Sequence, residues 1–207
     1  DWKEEFSPNK TREMKFNAPT GKVKTDFMNR RGNIDYLKLN DITGVVLPYL
    51  DEQFAFVGLL PAEGQTPKDL IIDLSALDLA RLLKDKEVKN IELSLPKFES
   101  SYEDSLKNEL SNLGMNIAFE PYSADFSLMS ENFKKDLYIG DVKQKTYIKV
   151  DEKGTEAAAV TAVEAEVTGM PVELPKVVFD RPFVYGIVDV ETGIPLFIGI
   201  MENPSIK

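Results

Sequence analysis

Residues 154–169 read Gly154-Thr155-Glu156-Ala157-Ala158-Ala159-Val160-Thr161-Ala162-Val163-Glu164-Ala165-Glu166-Val167-Thr168-Gly169. Ala and Glu individually favour helix, yet the charges follow a period of two. Glu156, Glu164 and Glu166 share the even positions with Ala158, Val160, Ala162 and Thr168. The odd positions, Thr155, Ala157, Ala159, Thr161, Val163, Ala165 and Val167, carry no charge and only small or β-branched side chains. Alternate residues of a strand lie on one face. The segment therefore reads as a strand whose neutral, slender face can enter a narrow slot between two others, leaving the glutamates in water. An Ala/Glu-rich helix or an irregular loop is the competing reading.

On its upstream side, Asp141–Val150 alternates in the same way. Val142, Thr146, Ile148 and Val150 share one face, and Lys143, Lys145, Tyr147 and Lys149 the other. Gln144 falls on the apolar face, where a buried amide needs hydrogen-bond partners. Downstream, the runs 183–188 and 194–200 flank the turn Asp189-Val190-Glu191-Thr192-Gly193, which predicts a hairpin within 179–207. Two further apolar runs, 44–50 and 54–60, are hydrophobic enough for strands covered on both faces. Shorter strands are expected at Lys22–Phe27 and Ile34–Leu39, separated by a turn at Arg31-Gly32-Asn33, and at 91–98.

Helix signals are fewer. Thr66-Pro67-Lys68-Asp69 has a capping hydroxyl, a proline at the first helical position and an acid in the first turn. Leu77, Leu79, Leu82 and Leu83 then supply an apolar face, on one of two short helices ending before Val88. A second helix is expected over 101–113, capped by Ser101, with Tyr102, Leu106, Leu110 and Leu113 on one stripe and Gly114 as its stop. No repeat or long linker divides the chain, so residues 1–207 read as a single domain. The expected class is α+β, mostly antiparallel β-sheet with a few helices.

Composition narrows the chemistry. The 207 residues include neither Cys nor His, which excludes thiol nucleophiles, disulfides, imidazole or thiolate zinc sites and Ser-His-Asp triads. No calcium-loop or phosphate-loop pattern is present, and neither a metal nor a cofactor is expected. Carboxylate chemistry is what remains for an enzyme, so an enzyme is the weaker class. The net charge is -10, with residues 1–50 at +2 and the rest at -12. An acidic chain is a poor nucleic-acid binder. Arg30, Arg31, Lys22 and Lys24 read as a solvated strand face or turn. No apolar run approaches the roughly 20 residues a membrane span needs.

Asp151-Glu152-Lys153-Gly154-Thr155-Glu156-Ala157-Ala158-Ala159 closely resembles the reactive-loop hinge of inhibitory serpins, a Glu-x-Gly-Thr-Glu followed by small residues. The resemblance spans the chain. Trp2, Phe6 and Thr11 look like the segment after the third strand of that family's main sheet. Leu93-Ser94-Leu95-Pro96-Lys97-Phe98, Leu110 through Met115, and Ala124-Asp125-Phe126-Ser127 follow in order. Asp180-Arg181-Pro182-Phe183, Leu196-Phe197-Ile198-Gly199 and Asn203-Pro204 look like its C-terminal signature.

The resemblance implies the C-terminal half of a serpin-like fold, without the N-terminal half, and a reactive-centre loop within 151–178. It implies a suicide-substrate inhibitor rather than an enzyme. A serine protease attacks the loop and forms an acyl-enzyme, and the freed loop inserts into the main sheet and carries the protease with it. Gly154, Thr155, Glu156, Ala157, Ala158 and Ala159 are the hinge in this reading. Trp2 and Gln144 belong to the region where the sheet opens, Gln144 standing where serpins usually carry a histidine. Spacing from the hinge puts the reactive bond at Thr168-Gly169, flanked by Val167 and Met170. Spacing from Pro182-Phe183 puts it about three residues later, and the Met170-Pro171 bond resists most serine proteases.

No Lys, Arg or aromatic occurs between Gly154 and Lys176, which suits an elastase-like pocket. A glutamyl-specific target at Glu164 or Glu166 is the alternative. The expected partner is a protease in the extracellular space, with self-association by strand exchange as a second outcome. The competing function is a non-inhibitory serpin acting as carrier, chaperone or structural protein, against which the small hinge residues argue.

Overall fold

A computed structural model describes residues 1–39, 41–73, 76–129, 135–154 and 173–206. Its spine is a 19-residue strand, β2 (Gly21–Leu39), entered from β1 (Arg12–Ala18) through a turn at residues 19 and 20. β3 (Ile42–Pro48) and β4 (Phe54–Leu60) follow, with Val45, Val46, Leu47, Ala55, Phe56, Leu59 and Leu60 all buried. These are the two apolar runs of the sequence, covered on both faces as their composition requires. β5 (Glu87–Pro96), β8 (Lys176–Val178), β9 (Phe183–Asp189) and β10 (Pro195–Met201) complete one sheet, in the order β10-β9-β4-β3-β2-β5-β8 with β1 on β2. Its pairs are antiparallel except β5 with β8.

Two helices cover part of this sheet. α1 (Pro67–Asp73) opens on a reciprocal cap: the Thr66 amide donates to Asp69 Oδ2 at 2.9 Å and the Asp69 amide donates to Thr66 Oγ1 at 3.2 Å. α2 (Ala76–Lys84) buries Leu79, Leu82 and Leu83 against Leu37, Val57 and Val184. The expected hairpin is β9 and β10, its turn tied by the Thr192 amide donating to Asp189 Oδ1 at 2.8 Å.

Three expectations are corrected. Lys22–Phe27 and Ile34–Leu39 are one strand, because Phe27 to Tyr36 pairs without a break with Pro96 to Glu87. Gly32 is extended there, and cross-strand pairing outweighs its turn signal. Arg30 is not solvated: its side chain is 15% exposed and lies over the Phe6 ring, 5.6 Å from the centroid. Ser101 caps no helix. β6 (Phe98–Ser105) pairs with β7 (Lys143–Val150), and α3 (Lys107–Leu110) begins only afterwards, widening through Ser111–Met115 to Gly114 at φ 102. Tyr102 and Leu113 are 51% and 81% exposed, so the supposed stripe is not buried, and the ladder with β7 wins over local propensity.

The chain forms two compact units, Asp1–Glu99 with Lys149–Lys207, and Ser100–Ile148. In the first, Trp2, Phe56, Tyr185, Phe98 and Phe183 form a connected aromatic core, with Phe179 and Phe16 both on Phe183 and contacting ring centroids 5.0 to 6.5 Å apart. In the second, Asp125 accepts the Ser127 amide and hydroxyl and Lys135 Nζ. Lys135 and then Ser127 hold its carboxyl at about 2.

Candidate functional site

Thr155, Glu156, Ala157, Ala158, Ala159, Val167, Thr168, Gly169 and Met170 lie outside the described residues. The structure does show the two anchors from which the segment 155–172 departs, both in the first unit.

The upstream anchor is a tight turn. β7 ends at Val150, and Asp151 and Gly154 then close on each other: the Asp151 amide donates to the Gly154 carbonyl at 3.1 Å, and the Gly154 amide returns at 3.3 Å. The turn is clasped by the N-terminal segment. Trp2 donates its amide to the Lys153 carbonyl and its indole Nε1 to the Asp151 carbonyl, each at 2.9 Å. The Phe6 amide donates to the Glu152 carbonyl at 2.9 Å. Trp2 is 1% exposed and stacks on Tyr49, 5.1 Å between centroids and 5° from parallel. Its ring is fixed by packing and its polar edge is spent on the turn.

Gly154 is required here. Its φ is 145, and a Cβ would stand 2.7 Å from Asp1 Cα and 3.0 Å from the Trp2 amide nitrogen. No other residue combines that dihedral with so close a backbone approach.

The turn also carries the charges of the site. Glu152 accepts from Thr11 Oγ1 at 2.7 Å and Lys97 Nζ at 2.8 Å, with its side chain 12% exposed. Burial works to raise its pKa, but Lys97 and Thr11 outweigh it and hold the carboxyl below its ordinary value. Asp151 behaves alike: burial raises it, while the Lys153 amide at 3.0 Å and Lys149 Nζ at 3.2 Å bring it below normal. Partial burial makes each of these charge-assisted bonds stronger than a surface pair.

The downstream anchor is of another kind. The Glu92 amide donates to the Pro175 carbonyl, β8 runs parallel to Glu92–Ser94, and the Phe179 amide donates to the Ser94 carbonyl, both bonds at 2.9 Å. Val177 and Phe179 are buried, and Phe179 meets Phe183 edge-on at 5.0 Å. It also fills the space over Gly58, where a Cβ would lie 2.9 Å from its ring.

Of the residues singled out in the sequence, Gly154 and Trp2 are thus brought together. Gln144 is exposed, so its amide meets water and the expected demand for buried partners does not arise. Thr11 and Lys97, which sequence patterns did not assign to the turn, complete it. Their partner Glu152 lies 141 and 55 positions away in the chain, a separation no local pattern encodes. Among the described residues, no group of three or more Asp or Glu side chains could hold a metal ion. No helix among them is long and apolar enough to cross a membrane.

Comparison with known proteins agrees with this geometry. The serpin (serine protease inhibitor) family matches residues 1–204. An uncharacterized serpin-like protein of Thermococcus kodakarensis is 36% identical over 99% of this chain and 47% of its own length. Alpha-1-antiproteinase of Rattus norvegicus is 34% identical over 99% and 48%. The structure of the thermophilic serpin tengpin in its native state superposes with a TM-score of 0.84 at 34% identity, over 98% of this chain and 52% of that one. The chain spans about half the length of the curated relatives it matches. With the family matched from the N-terminal segment through the Asp151–Gly154 turn to the C-terminal hairpin, the chain belongs to the serpins.

Proposed function

We propose that this chain is the loop-bearing half of an irreversible serine-protease inhibitor with elastase-like preference. One observation carries the reading. β7 runs directly into the Asp151–Gly154 turn, and beyond that turn every odd position from 155 to 167 is neutral and small or β-branched, while the three charges, Glu156, Glu164 and Glu166, all fall on even positions. Among the described residues β7 pairs with β6 alone. If the turn unwinds, 155–167 can fold back antiparallel along the other edge of β7, neutral face inward.

The protease serine adds to the Thr168 carbonyl. The Thr168-Gly169 bond breaks, the Gly169 amine leaves with the proton taken from the serine, and Thr168 stays as an ester on the protease. Insertion of 155–167 then competes with hydrolysis of that ester. Val167 and Thr168 fit a small, uncharged specificity pocket, with Met170 just beyond the bond, and the same segment offers no cation to a trypsin-like pocket. Such targets act in the extracellular space, where we place the inhibitor. An unfilled β7 edge also explains how a second copy could pair by strand exchange.

The test uses a full-length serpin carrying this half, mixed with an elastase. The expected product is a complex that survives boiling in detergent, with the bond cut between Thr168 and Gly169. Cleaved loop with no such complex, and no thermal stabilisation after cleavage, would instead assign a non-inhibitory carrier, chaperone or structural role.

A further inference from the structure

β2 changes its neighbour on one edge partway along. Residues 21–27 pair with β1 and residues 35–39 with β3, while 27–36 keep β5 on the opposite edge. Between the two ladders, residues 28–34 have no strand on the first edge among the described residues, and beside this gap lies a cavity of about 300 Å3. The open apolar part of its lining comes from Val88 and the half-buried Val190, while the lining residues Val46 and Leu47 are themselves buried. The other part is charged.

Two of the lining cations are already matched, Lys3 to Glu52 at 2.8 Å and Lys86 to Asp35 at 2.7 Å. Arg30 is not. Its Nη1 donates to the Glu4 carbonyl at 2.7 Å, its Nη2 has the Glu4 carboxylate only at 3.4 Å, and its Nε is buried without a hydrogen-bond partner. A buried, unsatisfied N–H on a charged group is costly. The Nε and Nη2 donors of a guanidinium lie parallel and fit the two oxygens of one carboxylate. That edge is the one left poorly served.

We propose that this cavity binds a small amphiphilic monocarboxylate. Its two oxygens take the Nε–Nη2 edge of Arg30, and its apolar body lies against Val88 and Val190. Glu4, 65% exposed, gives up a long contact and turns to solvent. With the lysines paired, displacing Glu4 leaves one positive charge, which favours a monoanion over a polyanion. An inorganic anion would leave the apolar wall uncovered, and a neutral ligand would leave the guanidinium edge unanswered.

A full-length serpin carrying this half, titrated with hexanoate, with acetate and hexanamide as controls, tests this by calorimetry and thermal shift. Hexanoate is expected to bind at least about tenfold more tightly than either control, and Arg30→Lys, which keeps the charge but not the fork, to weaken it about tenfold. Arg30 packs on Phe6, so a second variant avoids the core. Val88 lines the cavity while 67% exposed, and Val88→Asp is expected to repel hexanoate by a similar factor. Acid and amide binding equally, hexanoate binding undiminished in a folded Arg30→Lys or Val88→Asp chain, or no ligand binding at millimolar concentration would each overturn the proposal.

Discussion

The segment 155–172 leaves a polar clasp at one end and an apolar socket at the other. At Asp151–Gly154 the chain is held by three hydrogen bonds from Trp2 and Phe6 to backbone carbonyls, by two more within the turn, and by two carboxylates. At Lys176–Phe179 it is held by a short parallel ladder and by a phenylalanine with no exposed surface. The difference teaches which end can move. Neutral hydrogen bonds exchange with water at about 0.5–1.5 kcal/mol each and charged ones at about 1.5–3 kcal/mol, and they can be given up one at a time, whereas withdrawing a buried aromatic loses its whole transfer and packing energy at once. Under the proposed mechanism the loop enters a sheet from its upstream end while its downstream end stays on the body, and this asymmetry suits that.

The largest expected effect is at the socket. Phe179→Ala should destabilise the chain by about 3–5 kcal/mol, since the cavity lies among Gly58, Phe183 and neighbouring strands that cannot collapse into it. Denaturant unfolding measures this, and a loss below about 1 kcal/mol would remove the contrast between the ends. Gly154→Ala comes next, at about 2–4 kcal/mol, from a disfavoured φ and a Cβ pressed on the Asp1 and Trp2 backbone. Its effect should be confined to the clasp, seen as faster hydrogen exchange of the Trp2 and Gly154 amides with β8 and β9 unchanged.

Glu152→Gln is smaller, about 1–2 kcal/mol, because the amide keeps the shape but not the charge facing Lys97. The smallest effect is the pH response. Asp151 and Glu152 have folded pKa values below their unfolded ones. Their contribution is therefore complete above the unfolded values, about 4, and is lost as pH falls through the lower folded values. Trp2 emission should stay constant from pH 8 to about 5 and change only in acid. A transition between pH 5 and 7 would contradict the assignment of the clasp to these carboxylates.

Much of this was legible where the determining forces are local. The reciprocal cap at Thr66 and Asp69, the apolar runs of β3 and β4, and the turn at Asp189–Gly193 each depend on residues within a few positions. The failures share a cause. Arg31-Gly32-Asn33 has turn residues but lies straight because β5, some sixty positions away, pairs with it. Residues 101–105 have a helical stripe but join a ladder with β7. The burial of Arg30, and the convergence of Thr11 and Lys97 on Glu152, are likewise contacts between remote parts of the chain. Glycine at 154 was recognisable as part of a hinge motif, yet the reason for it, the Asp1 and Trp2 backbone lying where a β-carbon would stand, is tertiary.

The central claim is that the neutral face of 155–167 becomes buried in a β-sheet after the bond beyond it is cut. The direct test is Ala157→Arg in a full-length serpin carrying this half, reacted with an elastase. The account predicts that the loop is cleaved at the same bond and at a similar rate, but that the detergent-resistant complex disappears and the protease regains activity, because a guanidinium cannot enter the slot. Undiminished covalent trapping by the Ala157→Arg protein would contradict it.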